Sequence, residues 1–178
     1  MKLAKASLRA HPLHALSALA LLVVPMSFAE APARMPTFDL AALDGGRISG
    51  ESLAGKVTLI DFWASWCAAC LQEIGHWNEL HARYRRDGFL VLGLALQSGS
   101  LAEIKPLAEK YEIRYPVAVG DEDVEREFGI RGFPAAFLVD REGRIRKKYL
   151  GQYSSKYAQI ERDLQQLLLE KSASPQRR

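Results

Sequence analysis

Two cysteines, the only two in the chain, stand three apart in Trp66-Cys67-Ala68-Ala69-Cys70. They follow the apolar run Val57-Thr58-Leu59-Ile60-Asp61-Phe62 and precede a stretch whose apolar residues recur at helical spacing. A strand-to-helix junction puts Cys67 in the first helical turn, where unsatisfied backbone N–H groups and the positive end of the helix dipole favour an anion, here a thiolate. Cys67 is therefore the expected attacking sulfur. Cys70, one helical neighbour on, reaches it to close a disulfide with little backbone movement. Other uses of such a pair fit badly. Zinc needs two further ligands and no second cysteine pair is present, haem attachment needs a histidine where Leu71 stands, and a purely structural bridge over so short a loop would restrain the unfolded chain only weakly. The pair is expected to be a redox-active disulfide, Cys67 with Cys70.

The surrounding elements read as carriers for that pair. Val57–Phe62 is rich in β-branched and apolar residues with no charged break before Asp61, the signature of a strand covered on both faces. From Ala68 to Arg86 the residues Leu71, Ile74, Trp77, Leu80 and Tyr84 share one helical face, and Asp87-Gly88 ends it. Phe89–Leu96 is a second buried strand, followed by a loop at Ser98–Ser100 and a helix from Leu101 to about Tyr111. Tyr115–Val119 reads as a short strand and Asp121–Phe128 as a polar helix capped by Asp121. Ala135–Val139 is a further strand, Asp140-Arg141-Glu142-Gly143 a hairpin turn into Arg144–Tyr149, and Ser154 or Ser155 the cap of a last helix to about Glu170. Near the start, Thr37–Leu40 reads as a strand and Asp44-Gly45-Gly46-Arg47 as a turn. Strands alternating with helices and ending in a hairpin give an α/β class fold, a three-layer sandwich with a mixed sheet and helices on both faces.

The first 29 residues read as an export signal. Lys2, Lys5 and Arg9 supply positive charge, Leu13–Val24 is the apolar stretch and Ser27-Phe28-Ala29 offers small residues at cleavage spacing. The apolar stretch is shorter than the roughly 20 residues that span a bilayer, and Pro25 interrupts it. An uncleaved inner-membrane anchor is the alternative. Removing the leader leaves about 150 residues, enough for one domain with its own core. The formal charge of +3 also resides in the leader, and without those three cations the chain is neutral. A general affinity for nucleic acid has no electrostatic support, and membrane contact is expected only if the leader is retained. The polar tail 171–178, with Pro175, reads as disordered.

Asp61-Phe62-Trp63-Ala64-Ser65-Trp66-Cys67-Ala68-Ala69-Cys70, followed far downstream by Gly132-Phe133-Pro134 before a strand, resembles the thioredoxin superfamily. The exported N-terminus, the Phe38-Asp39-Leu40 and Asp44-Gly45-Gly46 lead-in, Gly55-Lys56-Val57 and the additional helix and strand at 101–119 look like its TlpA/ResA-like branch, a thioredoxin-like sandwich with an N-terminal hairpin and a central insert. The resemblance covers residues 36–170. It implies that Cys67 attacks a target disulfide, that Cys70 resolves the mixed disulfide, and that a cis Pro134 faces the pair so that the backbone of Phe133 pairs with an extended substrate. It places at Asp61 a buried acid, whose pKa burial should raise, to take the Cys70 proton directly or through water. Many members of the branch carry Asn there. Glu73 stands where the branch commonly has a glutamate near the active site, and is otherwise an ordinary solvated helix side chain. Where the family has a proline two residues later, this chain has Gly75, which leaves the direction of Glu73 open. Ala68-Ala69 replaces the frequent X-Pro dipeptide and brings no charge, so the helix terminus with Asp61 or Glu73 must tune the thiol. Trp63 and Trp66 flank the site, with Trp66 as a contact surface for substrate or as simple packing.

The resemblance thus implies an exported, periplasmic or extracytoplasmic thiol-disulfide oxidoreductase without cofactor. Its partners would be disulfide-bearing exported proteins, apocytochrome c thiols among them, and a membrane thiol electron donor. A net oxidant in disulfide formation would use the same residues in reverse, and a redox-inert or copper-handling module of the same fold is the non-enzyme rival. The lack of paired His or Met near the cysteines speaks against the latter. His76 and His81, five apart on the helix, suit no shared metal, and none is assigned. A peroxidase would want a third cysteine or a Thr-x-x-Cys arrangement, and Ala64 stands three before Cys67.

Overall fold

The computed structural model describes residues 33–170. The expected leader, residues 1–29, and the expected disordered tail, residues 171–178, lie outside the described residues. Two strands, β1 (Asp39–Ala41) and β2 (Arg47–Ser49), form an antiparallel hairpin, and a 3₁₀ turn over Glu51–Leu53 leads on to β3 (Val57–Trp63). Then follow α1 (Ala68–Tyr84), β4 (Phe89–Ala95), α2 (Leu101–Lys110), β5 (Val117–Val119), α3 (Glu122–Phe128), β6 (Ala135–Val139), β7 (Ile145–Leu150) and α4 (Lys156–Leu169). The main sheet has the order β5-β4-β3-β6-β7. β3 runs parallel to β4 and antiparallel to β6, so the strand that delivers the cysteines is the central one.

Alternation along β3 divides the molecule. Val57, Leu59 and Trp63 pack with Trp77 and Leu80 of α1, Ile104 of α2, and Ile160, Leu164 and Leu167 of α4. Ile60 and Phe62 point the other way, into a second cluster with Leu92, Leu94, Val124, Phe128 and Phe137 and with Phe38, Leu40 and Leu53 beneath the hairpin. Each such side chain, fully buried, contributes about 1.5–3 kcal/mol. The Phe62 ring lies 5.1 Å from Phe128 and 5.0 Å from Phe137, tilted and edge-on, the arrangement that ring quadrupoles favour. Asp61, between Ile60 and Phe62, therefore faces the α1–α4 side.

The sheet's two margins are closed differently. Beyond β1, Ala42 bridges to Ala118 and the Leu43 N–H donates to the Val117 carbonyl at 3.0 Å, so the hairpin covers the β5 edge. The β7 edge carries exposed Lys147 and Lys148, with the ammonium of Lys148 over the Phe137 ring at 4.5 Å.

Several boundaries differ from the sequence reading for local reasons. The strand expected over Tyr115–Val119 begins only at Val117, because Pro116 has no N–H to give a ladder, although its carbonyl still accepts from Gly93 N–H at 2.9 Å. The first strand lies one to two residues later than Thr37–Leu40. α1 closes at Tyr84 into a 3₁₀ turn ended by Gly88, whose φ of 85° a side chain would strain. Asp121 caps α3 as expected, accepting from the Val124 N–H at 3.0 Å. Ser155 occupies the cap position of α4, yet its hydroxyl accepts from the Gln159 side chain rather than from a backbone N–H. None of the helices among the described residues is long and apolar enough to cross a membrane.

Candidate active site

Ala64, Ser65 and Trp66 connect the end of β3 to α1, and the connection is pinned at two points. Ser65 N–H donates to Ser98 Oγ at 2.8 Å, and Cys67 N–H donates to the Ala64 carbonyl at 2.9 Å. Cys67 is the N-cap residue of α1, in extended geometry, and its sulfur accepts from the Cys70 N–H at 3.2 Å. The helix terminus thus delivers a backbone donor to the sulfur of Cys67, the arrangement that stabilises a thiolate. The two sulfurs are bonded to each other, with their Cα atoms 5.3 Å apart. Cys67 is 7% exposed and Cys70 only 1%, so Cys67 is the more accessible of the pair.

The Phe133–Pro134 peptide is cis, as the resemblance implied, and buried Pro134 offers its carbonyl to the Gly151 N–H at 2.8 Å. Antiparallel pairing of Phe62 with Ala135 sets this loop beside the end of β3. Phe133 meets the Trp66 ring edge-on at 5.6 Å. Trp66 is 63% exposed, and its indole N–H reaches the carbonyl of Gln97, a residue held at φ 50°. Trp63 is buried under the sheet instead, so the two tryptophans divide into a core member and a surface member.

Asp61 lies on the α1–α4 face of β3, 1% exposed, and neither carboxyl oxygen has a hydrogen-bond partner among the described residues. Burial, reinforced by the nearby Glu73 charge, pushes its pKa up to about 8, against the opposing pull of the Lys156 ammonium and of the Trp77 indole. That indole lies near without making a hydrogen bond of full geometry, and Trp77 Nε1 is itself unpartnered. In register beside Asp61 are Gly93 on β4 and Ala136 on β6. A Cβ at Gly93 would stand 3.1 Å from both Trp63 Nε1 and a ring carbon of Tyr115, so glycine is what admits these two groups beside the acid. Trp63 Nε1 and the Tyr115 hydroxyl likewise lack protein partners, and burial pushes the Tyr115 phenol well up.

Glu73 is not a solvated helix side chain. It is fully buried, and α1 runs unbroken through Gly75, where an added Cβ would meet nothing within 4 Å. Its two oxygens accept from Lys156 Nζ at 2.7 and 2.9 Å, and one also faces the Tyr157 hydroxyl at 3.4 Å. Burial raises the Glu73 pKa and the hydrogen bond from Lys156 opposes it. Lys156 is also fully buried, its ammonium 5.7 Å from the centre of the Trp77 ring. The sequence reading missed it. One local signal was available, because a cation in the first turn of α4 opposes the helix dipole and calls for a partner elsewhere. His76 stacks on Tyr157 at 3.8 Å, while His81 Nδ1 accepts from the Val91 N–H.

Comparisons with known proteins agree with this geometry. A family model described as the AhpC/TSA family matches residues 32–148. A thiol-disulfide oxidoreductase ResA of Bacillus cereus is 28% identical over 133 residues, covering 74% of this chain and 75% of the relative. The thioredoxin-like protein YneN of Bacillus subtilis (strain 168) is 26% identical over 131 residues, 72% of this chain and 76% of the relative. Among solved structures, a putative thiol:disulfide interchange protein DsbE from Chlorobium tepidum superposes with a TM-score of 0.72 at 26% identity, covering 77% of this chain and 96% of that one.

Proposed function

We propose, from the premise that this chain belongs to the AhpC/TSA family and is a ResA-like thiol-disulfide oxidoreductase of the thioredoxin superfamily, that it reduces disulfides of extracytoplasmic proteins through a Cys67–Cys70 cycle. The thiolate of Cys67 attacks one sulfur of the partner's disulfide, forming a mixed disulfide and releasing the partner's other sulfur as a thiolate. Cys70 then loses its proton to Asp61, its sulfur attacks Cys67, and the second partner sulfur leaves. The partner gains two electrons and this protein ends as the disulfide. A membrane thiol donor returns it to the dithiol. The observation that carries the reading is the N-cap placement of the more exposed sulfur, with a backbone donor on it and the resolving sulfur already in bonding contact.

Three further features support the reading. Trp66, next to Cys67 in sequence, and Phe133 meet edge-on and offer a joint aromatic surface, and the cis Pro134 loop turns the backbone of Phe133 toward an extended substrate. Asp61, at about 8, exchanges a proton within the working pH range. Export fits the leader expected over residues 1–29, and apocytochrome c thiols awaiting haem are the substrate class that the TlpA/ResA-like resemblance favours.

Substrate trapping tests this. Cys70→Ala in the exported compartment holds Cys67 in mixed disulfides, so that partner and electron donor are recovered as covalent adducts; Cys67→Ala is expected to recover none. Equal adducts from Cys67→Ala would remove Cys67 as the nucleophile.

A further inference from the structure

Trp66 is a large apolar side chain left in water, and an exposed ring of this kind is ordinarily free to turn about its side-chain bonds. Here it is held. The ring meets Phe133 edge-on, and the indole N–H donates to the Gln97 carbonyl at 3.3 Å. Gln97 stands in the loop between β4 and α2, and that loop is bonded to the segment leading into Cys67. Leu96 N–H donates to the Trp63 carbonyl at 2.9 Å, Ser65 N–H donates to Ser98 Oγ at 2.8 Å, and the Ser98 hydroxyl in turn donates to the Leu96 carbonyl at 2.7 Å. These bonds fix backbone to backbone. The Gln97 carbonyl alone acts on the side chain that a substrate would touch.

That carbonyl reaches the indole because the backbone of Gln97 turns into the left-handed region, at φ 50°. Glycine enters that region without steric cost, whereas a long side chain is disfavoured there. Gln97 and Glu112 are the two non-glycine residues with positive φ among the described residues. At Glu112 the carbonyl accepts from Asn78 Nδ2 at 2.8 Å, which ties the end of α2 to α1. At Gln97 the side chain itself supplies the reason for its presence. Its amide N–H donates to Glu125 Oε1 on α3 at 2.8 Å, a bond that glycine could not make. The residue thus forgoes an easy backbone and gains a tether to α3, with its carbonyl turned to Trp66.

We propose that Gln97 is a positioning residue for substrate capture: its left-handed backbone points the carbonyl at Trp66, its side chain anchors that backbone to Glu125, and the ring so held favours an extended protein segment over a small disulfide at Cys67. This role rests on the reading of Cys67 as the nucleophile and of Trp66 as a contact for substrate. Gln97 makes and breaks no covalent bond, and no proton or electron passes through it. A loose ring has to be ordered each time a chain is laid across it, and a preset one avoids that loss of freedom. The gain therefore falls on partners large enough to cover the indole. A small disulfide reaches the sulfur without crossing the ring.

The test compares two disulfide probes in single-turnover reaction with the reduced full chain, insulin as the protein disulfide and oxidised glutathione as the small one. Gln97→Gly suits the backbone and removes the tether. It is expected to resist urea at least as well as the parent, and to lower the ratio of the insulin to the glutathione second-order rate constant about fivefold. The Trp66 indole proton, identified by its absence from Trp66→Phe, is expected to exchange with solvent at least about twofold faster in this variant. Glu125→Ala, which leaves Gln97 intact but unanchored, is expected to lower the ratio about twofold, and Glu125→Gln, which still offers Gln97 an acceptor oxygen, to restore it. The proposal is overturned if Gln97→Gly keeps the parent ratio, or if Glu125→Gln is as impaired as Glu125→Ala, which would make the charge of Glu125 rather than the tether the cause. Should the parent chain exchange disulfides with neither probe, the oxidoreductase reading fails first and the role of Gln97 falls with it.

Discussion

Two aspartates sit at opposite ends of the main sheet, almost equally buried, Asp61 1% exposed and Asp140 4% exposed, and they are displaced in opposite directions. At the β6–β7 turn, burial alone would push the Asp140 carboxyl up. Its backbone and side-chain bonds from Arg144, with help from Arg146, overcome that and hold it below the usual carboxylate range. Oδ1 accepts from the Glu142 and Arg144 N–H groups at 3.1 and 2.9 Å, and Oδ2 accepts from the Arg144 and Arg146 guanidiniums at 2.8 and 3.3 Å. Asp61 has none of these bonds and rises to about 8. Burial is common to the two carboxylates, so it does not set the direction in which each is displaced. What separates them is whether the protein satisfies the charged form.

The contrast breaks most visibly at the turn. Asp140→Ala strands two backbone N–H groups and takes one carboxylate partner from each of Arg144 and Arg146, which keep Glu142 and Glu170, and is expected to cost about 3–4 kcal/mol in urea unfolding at pH 7, with mixed-disulfide resolution per folded molecule unchanged. Because the folded-state pKa of Asp140 is depressed, its contribution is present above the unfolded value near 3.8 and lost as the pH falls through the folded value.

Asp61→Asn has the opposite sign. A raised folded-state pKa means that the native protein holds a proton the unfolded chain has lost, so ionising Asp61 erodes stability progressively as the pH rises from about 4 to about 8. The variant escapes that cost and is expected to gain about 2–3 kcal/mol at pH 8 and little at pH 4, while resolution at pH 7 slows by at least about tenfold. A variant that lost stability at pH 8 would show that the carboxylate of Asp61 is satisfied like that of Asp140.

The smallest effect sharpens the comparison with a polar atom that has no chemistry. Thr58 Oγ1 is buried without a partner on β3, outside the active site. Thr58→Val is expected to raise stability by about 1 kcal/mol at every pH from 4 to 8, with the rate of resolution unaltered. A change in rate would extend the reactive region along the whole of β3.

How much of this was legible beforehand follows the range of the interactions. β3, the Cys67–Cys70 junction, the Asp121 cap and the turn at Asp140 are set by neighbours in sequence, and they stand where pattern and spacing put them. Asp61 was legible because a lone acid in an apolar strand must be buried, and parity then fixes its face. Glu73 was ambiguous because its helical position, on the flank of the apolar stripe, permits either solvent or core. The choice is made by Lys156, 83 residues away on another helix. The polar chamber of Trp63, Trp77 and Tyr115 is of the same kind, since it depends on Gly93 being small on the neighbouring strand. The networks that tune the two aspartates were thus hidden while the aspartates themselves were in view.

The closed margins of the sheet have a consequence for life in a crowded compartment. Among the described residues a hairpin is laid over one edge and lysines line the other, which disfavours lateral growth of an assembly on the sheet. A sheet closed in this way is kept from pairing edge to edge with other copies of itself.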